Sequence, residues 1–522
     1  MRDRSVNVTD GELFKPLVVL SAPIVAAQVL QVGYNLADTF WVGQLGADAV
    51  AALSYAWAIV FLMVSVGGGL TVAGTVLVSQ HKGSGDFRQS HHVAGQTVSF
   101  VSVVAILFAA VGYLAAPYLL AIVGATPGTA AHTYATDYTR VVFLGVIFMF
   151  WFFIFDALMR GWGDTRTPLY LMAGSVALNV ALDPFLVLGF VDNPMFAWTG
   201  TESLQTTLFA LTGFEGYGVK GAAIATVVAR FFPAVIGLYL LLFGDVGLSP
   251  ELSDFLLRRE TVRKILDVGA PIGAEQGLRS GGIAAMTAII ALAGDDAVAA
   301  YGIVNRLASL LFLPALGFAR GTETVVGQNL GAGHTDRAKR AVFLASATVA
   351  GAFFVVVAAA YPFAEAITGV FLPPGDAAAG TVIEYGAAYI RIAGPAYVFL
   401  GVFQVVLGGF RGSGSTRAAM LLSVQELWLF RIPLSFVFLT AFGWGVVGVW
   451  YAVAISFVAS ALTTGAWFLR GTWTDSVVDP DDVDAPRRAG SRRRLTIRFG
   501  RASPRRPRPR RWRTSAAPRA SS

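Results

Sequence analysis

Apolar residues arrive along this chain in long stretches, without the alternation of a half-buried strand or the one-sided spacing of a surface helix. Twelve stretches reach the roughly 20 residues that a helix needs to cross a bilayer. They fall at about 16–42, 50–78, 93–123, 134–159, 167–190, 218–243, 263–293, 297–327, 338–371, 384–410, 417–441 and 445–470. The links between them alternate in charge. Lys82 and Arg88 follow helix 2, Arg160 and Arg166 helix 4, Arg258, Arg259, Arg263 and Lys264 helix 6, Arg337, Lys339 and Arg340 helix 8, and Arg411 and Arg417 helix 10. The opposite links, GQLGADA, GDDAV and LPPGDAAAG, carry no Lys or Arg. The pattern predicts an all-α polytopic membrane protein, multi-pass in the plasma membrane, with both termini cytoplasmic.

The second half of the chain repeats the first. GADAVAA at Gly46 returns as GDDAVAA at Gly294, and Gln80-x-x-Gly83-x-Gly85 as Gln328-x-x-Gly331-x-Gly333, both 248 residues on. RGWGDTR at Arg160 returns as RGSGSTR at Arg411, and Arg140 as Arg391, 251 residues on. GYGVKG at Gly216 returns as GWGVVG at Gly443, only 227 on, so the first half holds an extra 24 residues before helix 6. Two parallel six-helix lobes are a transporter plan that puts cargo at the repeat interface. The expected domains are a lobe over 1–243, a linker over 244–262, a lobe over 263–470 and a tail over 471–522.

Polar residues break the apolar runs in two places. Tyr34, Asn35 and Asp38 lie in YNLADTFWVG, and Asn179 and Asp183 in LNVALDP. Tyr34 with Asp38, and Asn179 with Asp183, are spaced i, i+4 and share a helix face. A carboxylate at the centre of a bilayer costs about 2.5 kcal/mol or more, so two of them call for a function. At the repeat offsets Asp38 falls on Met286, Asn179 on Phe430, Asp183 on Leu434 and Thr226 on Val453. The polar set therefore belongs to the first lobe alone, as a coupling site would and a folding requirement would not.

Composition agrees: 55% hydrophobic against 14% charged residues excludes an ordinary soluble domain. With no cysteine, disulfides and thiolate chemistry are excluded as well. The opening MRDRSVNVTDGELFKP has no apolar core behind a basic end, so no cleavable signal peptide is expected. The net charge of +7 misleads, because 14 arginines lie from Arg487 onward; without them the chain stands at −7. The Arg-rich tail reads as disordered and suited to anionic lipid, with no nucleic-acid partner expected. No Ser/His/Asp set, HExxH motif or metal spacing among the histidines suggests an enzyme.

YNLADTFWVGQLG, the RGxGxTR turns, LNVALDP, GVKGAAIAT and GQNLGAG, in this order over about 14–470, resemble the multidrug and toxic compound extrusion family, in its archaeal and DinF-like branch. The resemblance implies a V-shaped pair of six-helix lobes that exports organic cations or other amphipathic drugs in exchange for H⁺ or Na⁺. It assigns the first-lobe cation site to residues matching Tyr34, Asp38, Asn179, Asp183 and Thr226, and no organic cofactor. Other branches place acids in helices 7 and 10 for Na⁺. Here helix 10 offers only Gln404 past Glu384, and Glu275 reads as an ion pair with Arg279.

The expected mechanism is H⁺ antiport, with Na⁺ at Asp38, Asn179, Asp183 and Thr226 as the other coupling, by a protein acting as a monomer. Asn35, Phe150, Phe153 and Met172 are candidates for the substrate cavity, from an aromatic and Met-rich stretch at 148–153. A flippase of lipid-linked saccharides would share the architecture. It should carry a basic cavity, and few arginines in the sequence look placed to line one.

Overall fold

The computed structural model describes residues 5–191, 193–372, 379–474 and 477. The first lobe holds α1 (Phe14–Gly43), α2 (Ala47–Gly83), α3 (Phe87–Val123), α4 (Ala130–Leu144 continued by Val146–Trp162), α5 (Arg166–Leu188) and α6 (Val219–Phe243). The second holds α7 (Arg259–Ala291), α8 (Asp295–Gly331), α9 (Thr335–Gly369), α10 (Ala379–Gly412), α11 (Thr416–Ala441) and α12 (Gly445–Leu469). Ten of these are single helices long and apolar enough to cross a bilayer, and α4 is an eleventh, broken span. The twelfth, α7, has the length but is diluted by Arg263, Lys264, Asp267, Glu275 and Arg279. Outward faces carry large apolar side chains such as Leu36, Leu114, Ile122 and Leu462, as hydrocarbon demands. The arginine-rich tail lies outside the described residues.

Several of the predicted runs are not regular α-helix throughout. α4 bends by 53° at Gly145, where a Cβ would come within 2.3 Å of Val227 on α6, so only glycine lets the two helices meet. α10 is interrupted at Gly394–Ala396, and α11 widens to π turns over Gln425–Arg431 and Val437–Ala441. The 24-residue insertion forms two short helices, Pro194–Thr199 and Glu202–Thr212. Asn193 anchors it by capping the first of these and donating to the carbonyls of Pro184 and Gly189.

Each lobe has its own apolar core, but the first turns of α1 and α7 cross over. Leu17 and Leu20 of α1 pack into the second core, and Ile265 and Val268 of α7 into the first. α1 rests on α8, α7 on α2, and α2 on α8. The lobes meet at the face that carries the start of α1 and of α7, termed here the terminal face. There the repeated Gln-x-x-Gly motif forms a pseudo-symmetric latch. Gln80 Nε2 donates to the Gly412 carbonyl at 3.1 Å, and its repeat Gln328 Nε2 to the Gly161 carbonyl at 2.9 Å. A Cβ on Gly83 would lie 2.0 Å from the Gln328 carbonyl, and one on Gly331 2.0 Å from that of Gln80.

The chain before α1 straps the same face. Val6 N–H donates to the Gly163 carbonyl of the first lobe, while Asn329 and Arg337 of the second donate to the Val8 carbonyl. The inter-lobe linker is tied down as well. The buried Asp254 accepts from Arg88 at 2.6 Å and lies 2.9 Å from His92 Nδ1. Burial alone would push its carboxyl up, yet the bonds from Arg88, His92 and the Glu251 N–H outweigh it and hold the group at about 2.

Candidate cation and substrate site

α1 packs on α5 and α5 on α6, which brings the polar residues of three helices to one place inside the first lobe. Tyr34 and Asp38 face inward one turn apart on α1, and Asn179 and Asp183 do the same on α5. All four are buried, with Asp183 and Asn179 at 0% exposure and Asp38 at 1%. The Tyr34 hydroxyl donates to Thr226 Oγ1 on α6 at 2.7 Å, and Asn179 Nδ2 donates to Asp183 Oδ1 at 3.1 Å. Among the described residues, none donates a hydrogen bond to either oxygen of Asp38, to Asp183 Oδ2 or to Asn179 Oδ1.

Four buried acceptors without a donor, two of them on one carboxylate, are a costly arrangement. A bound proton or a hard cation would relieve it, and the donor set is all oxygen, as such a cation prefers. The five residues singled out in the sequence thus lie together. Tyr138 of α4 is buried beside them and shares the cavity wall with Tyr34 and Thr226. The sequence hid it because its repeat, 251 residues on, is again a tyrosine, Tyr389.

Next to this site lies a cavity of about 300 Å³, walled by α1, α2, α4, α5 and α6 and reached by Arg320 from α8. Tyr34 and Thr226 line it, so one pair of side chains separates the acids from the open space. Asn35, Phe153 and Met172 line it as expected positions. Phe150 does not: it is 1% exposed and packs against Gly67 and Phe108 in the core, while Met149, Phe152 and Phe153, spaced i, i+3 and i+4 on one face of α4, line the cavity. The arginine expectation is corrected too, since Arg160, Arg230 and Arg320 all line the cavity. Arg160 is bound by Asp156, one turn before it on α4.

The second lobe is less bare than its sequence suggested. Glu275, Glu323 and Glu426 are all buried there, and Glu426 occupies the repeat position of Ser175, one turn from that of Asn179. Each faces a built-in cation. Glu275 accepts from Arg411 at 2.6 Å, not from Arg279, whose guanidinium lies over the Phe312 ring. Glu323 lies 3.9 Å from Arg411, and Glu426 accepts from Arg431. Local spacing pointed to Arg279, but the last turn of α10 delivers Arg411 directly to α7. The second lobe thus neutralises its acids with its own side chains, whereas the first leaves Asp38 and Asp183 without one.

Arg411 is consequently a stability residue. Arg411→Met should strand two buried glutamates and cost about 3–5 kcal/mol, read as a fall in the melting temperature in detergent. An unchanged melt would mean that the pair contributes nothing.

The matching proteins share this architecture. The MatE family model covers residues 23–185 and 271–437, more than half of the chain and one copy in each lobe. The chain belongs to the MatE family. Among similar MatE relatives, the probable multidrug resistance protein YpnP of Bacillus subtilis is 26% identical over 471 residues, 90% of this chain and 98% of its own. The probable multidrug resistance protein NorM of Thermotoga maritima is 25% identical over 485 residues, 90% and 94% of the two chains. A solved structure of a MOP superfamily transporter from Pyrococcus furiosus superposes with a TM-score of 0.79 at 22% identity, over 91% of this chain and 99% of that one. The MatE chain described here is therefore a multi-pass membrane transporter of small molecules, not an enzyme, and relatives named for multidrug resistance place it among efflux proteins. They do not favour the flippase reading.

Proposed function

We propose that the chain is a proton-coupled antiporter that exports amphipathic small molecules by alternating access. The observation that carries this reading is the set of four buried oxygens without donors on Asp38, Asn179 and Asp183, set against the arginine-neutralised acids of the other lobe. A proton on this set removes the cost of its charge and lets α1 and α5 close on each other. Tyr34 carries that movement to the cavity, because its ring is a cavity wall and its hydroxyl is tied to α6. With the site empty, the acids repel and the cavity can admit cargo; with it filled, the wall shifts and cargo leaves. Coupling therefore needs no contact between ion and cargo.

The terminal face is assigned to the cytoplasm from the excess of Lys and Arg in its links. The protein works in the plasma membrane as a single chain, since cation set and cavity are both built from residues of one chain. Sodium would use the same oxygens, so imposed gradients separate the two. Purified protein in liposomes loaded with a fluorescent amphipath is expected to export it under a pH gradient and not under a sodium gradient alone. Export driven only by sodium would reassign the ion, and export indifferent to both would end the antiport reading.

A further inference from the structure

The charge inside the cavity is the opposite of what a site for organic cations requires. Arg230 on α6 is 3% exposed and lines the cavity, yet every partner it has is neutral. Nη2 donates to Gln31 Oε1 at 2.6 Å and Nη1 to the Met172 sulfur at 3.1 Å, while Nε has no acceptor. Its guanidinium sits over the rings of Tyr34 at 5.1 Å and Phe152 at 5.7 Å. Among the described residues no carboxylate forms an ion pair with it; Asp156, the one acid on the cavity wall, is taken by Arg160. Arg320 adds a second positive group from the other lobe.

A buried guanidinium held only by an amide, a thioether and two aromatic faces retains most of its capacity for an oxyanion. Its planar fork is matched to a carboxylate or phosphate. Around it Trp57, Tyr138, Phe152 and Phe153 offer flat apolar walls for a ring system.

We propose that the cargo of this cavity is an amphipathic aromatic carrying an oxyanion, a carboxylate in the first instance, which Arg230 grips while the aromatic walls take the body. The inference rests on the exporter reading above and replaces the organic cations expected from family resemblance. It also gives coupling a direct route. Tyr34 lies under the Arg230 guanidinium on one side and beside the acids on the other, so cation entry at Asp38 and Asp183 disturbs the support of the anion grip.

The test uses the full-length protein in liposomes and three probes on one fluorescent ring system: a carboxylate, its uncharged methyl ester and a quaternary ammonium analogue. A phosphate monoester of the same ring serves as a fourth arm, to separate carboxylate from phosphate recognition. The wild type should export the carboxylate about tenfold or more faster than the ammonium analogue. Arg230→Gln should collapse that ratio towards one whatever the absolute rates, and Arg230→Lys should keep its sign at reduced size, since charge remains but the fork is lost. If Arg230→Gln does not fold, the Lys variant decides alone. Preference for the ammonium probe in the wild type, or a ratio unmoved by a folded Arg230 variant, would overturn the inference while leaving the exporter reading intact. Preference for the phosphate over the carboxylate would overturn the choice of carboxylate. No export of any probe would overturn both readings.

Discussion

Asp38→Asn and Asp183→Asn, each alone, are expected to cut gradient-driven export to background while leaving the protein as stable as the wild type or more so. Both carboxyls are buried, and Asp38 accepts no hydrogen bond from any described residue. Replacing either with its neutral isostere removes a charge that the fold gains nothing from keeping. What is lost is the difference between the filled and empty states, because an amide can neither take nor release a cation. Loss of transport together with a held or raised melting temperature separates coupling from structure. Were these residues only glue between α1, α5 and α6, the same substitutions would lower the melt and leave export by the surviving protein untouched.

Gly83→Leu together with Gly331→Leu is expected to force the terminal face apart and abolish turnover. Each glycine lets one lobe's backbone lie against a carbonyl of the other, at a distance where a Cβ would stand 2.0 Å from oxygen. Backbone cannot yield there as a flexible side chain would, so the lobes must separate and the Gln80 and Gln328 bonds break with them. The absence of cysteine makes this measurable without a cleared background. Spin labels at Arg166→Cys and Arg340→Cys, both exposed and one in each lobe, should report a distance that lengthens by several ångströms in the double variant. An unchanged distance with normal export would show that the latch does not hold this face closed.

Much of this was legible in the sequence, because a bilayer leaves the chain few choices. Every backbone polar group must be satisfied within its own helix, so apolar length fixed the spans. The i, i+4 spacing of Tyr34 with Asp38 and of Asn179 with Asp183 survived unaltered, since a straight helix preserves a shared face. What local spacing cannot report is a bend or a partner from another span. Phe150 lies off the helix face shared by Met149, Phe152 and Phe153, and an unbroken aromatic run gives no sign of which face turns to the cavity. Arg411 reached Glu275 across 136 residues and displaced the i, i+4 neighbour Arg279. Tyr138 was masked by symmetry, its repeat Tyr389 making it look like scaffold. Few arginines in the sequence looked placed on a cavity wall, because a lone arginine in an apolar run gives no sign of which way it turns.

In the proposed mechanism, a cation bound at Asp38 and Asp183 and cargo bound in the adjoining cavity exclude one another through Tyr34. Its most direct test is proton release from purified protein in weakly buffered detergent solution as a transported amphipath is added, read with a pH-sensitive dye. The wild type should release protons in proportion to cargo bound, and both Asp38→Asn with Asp183→Asn and Tyr34→Phe should bind cargo with that release reduced or lost. Cargo binding that releases as many protons from the Asn variants as from the wild type, or none from either, would contradict it.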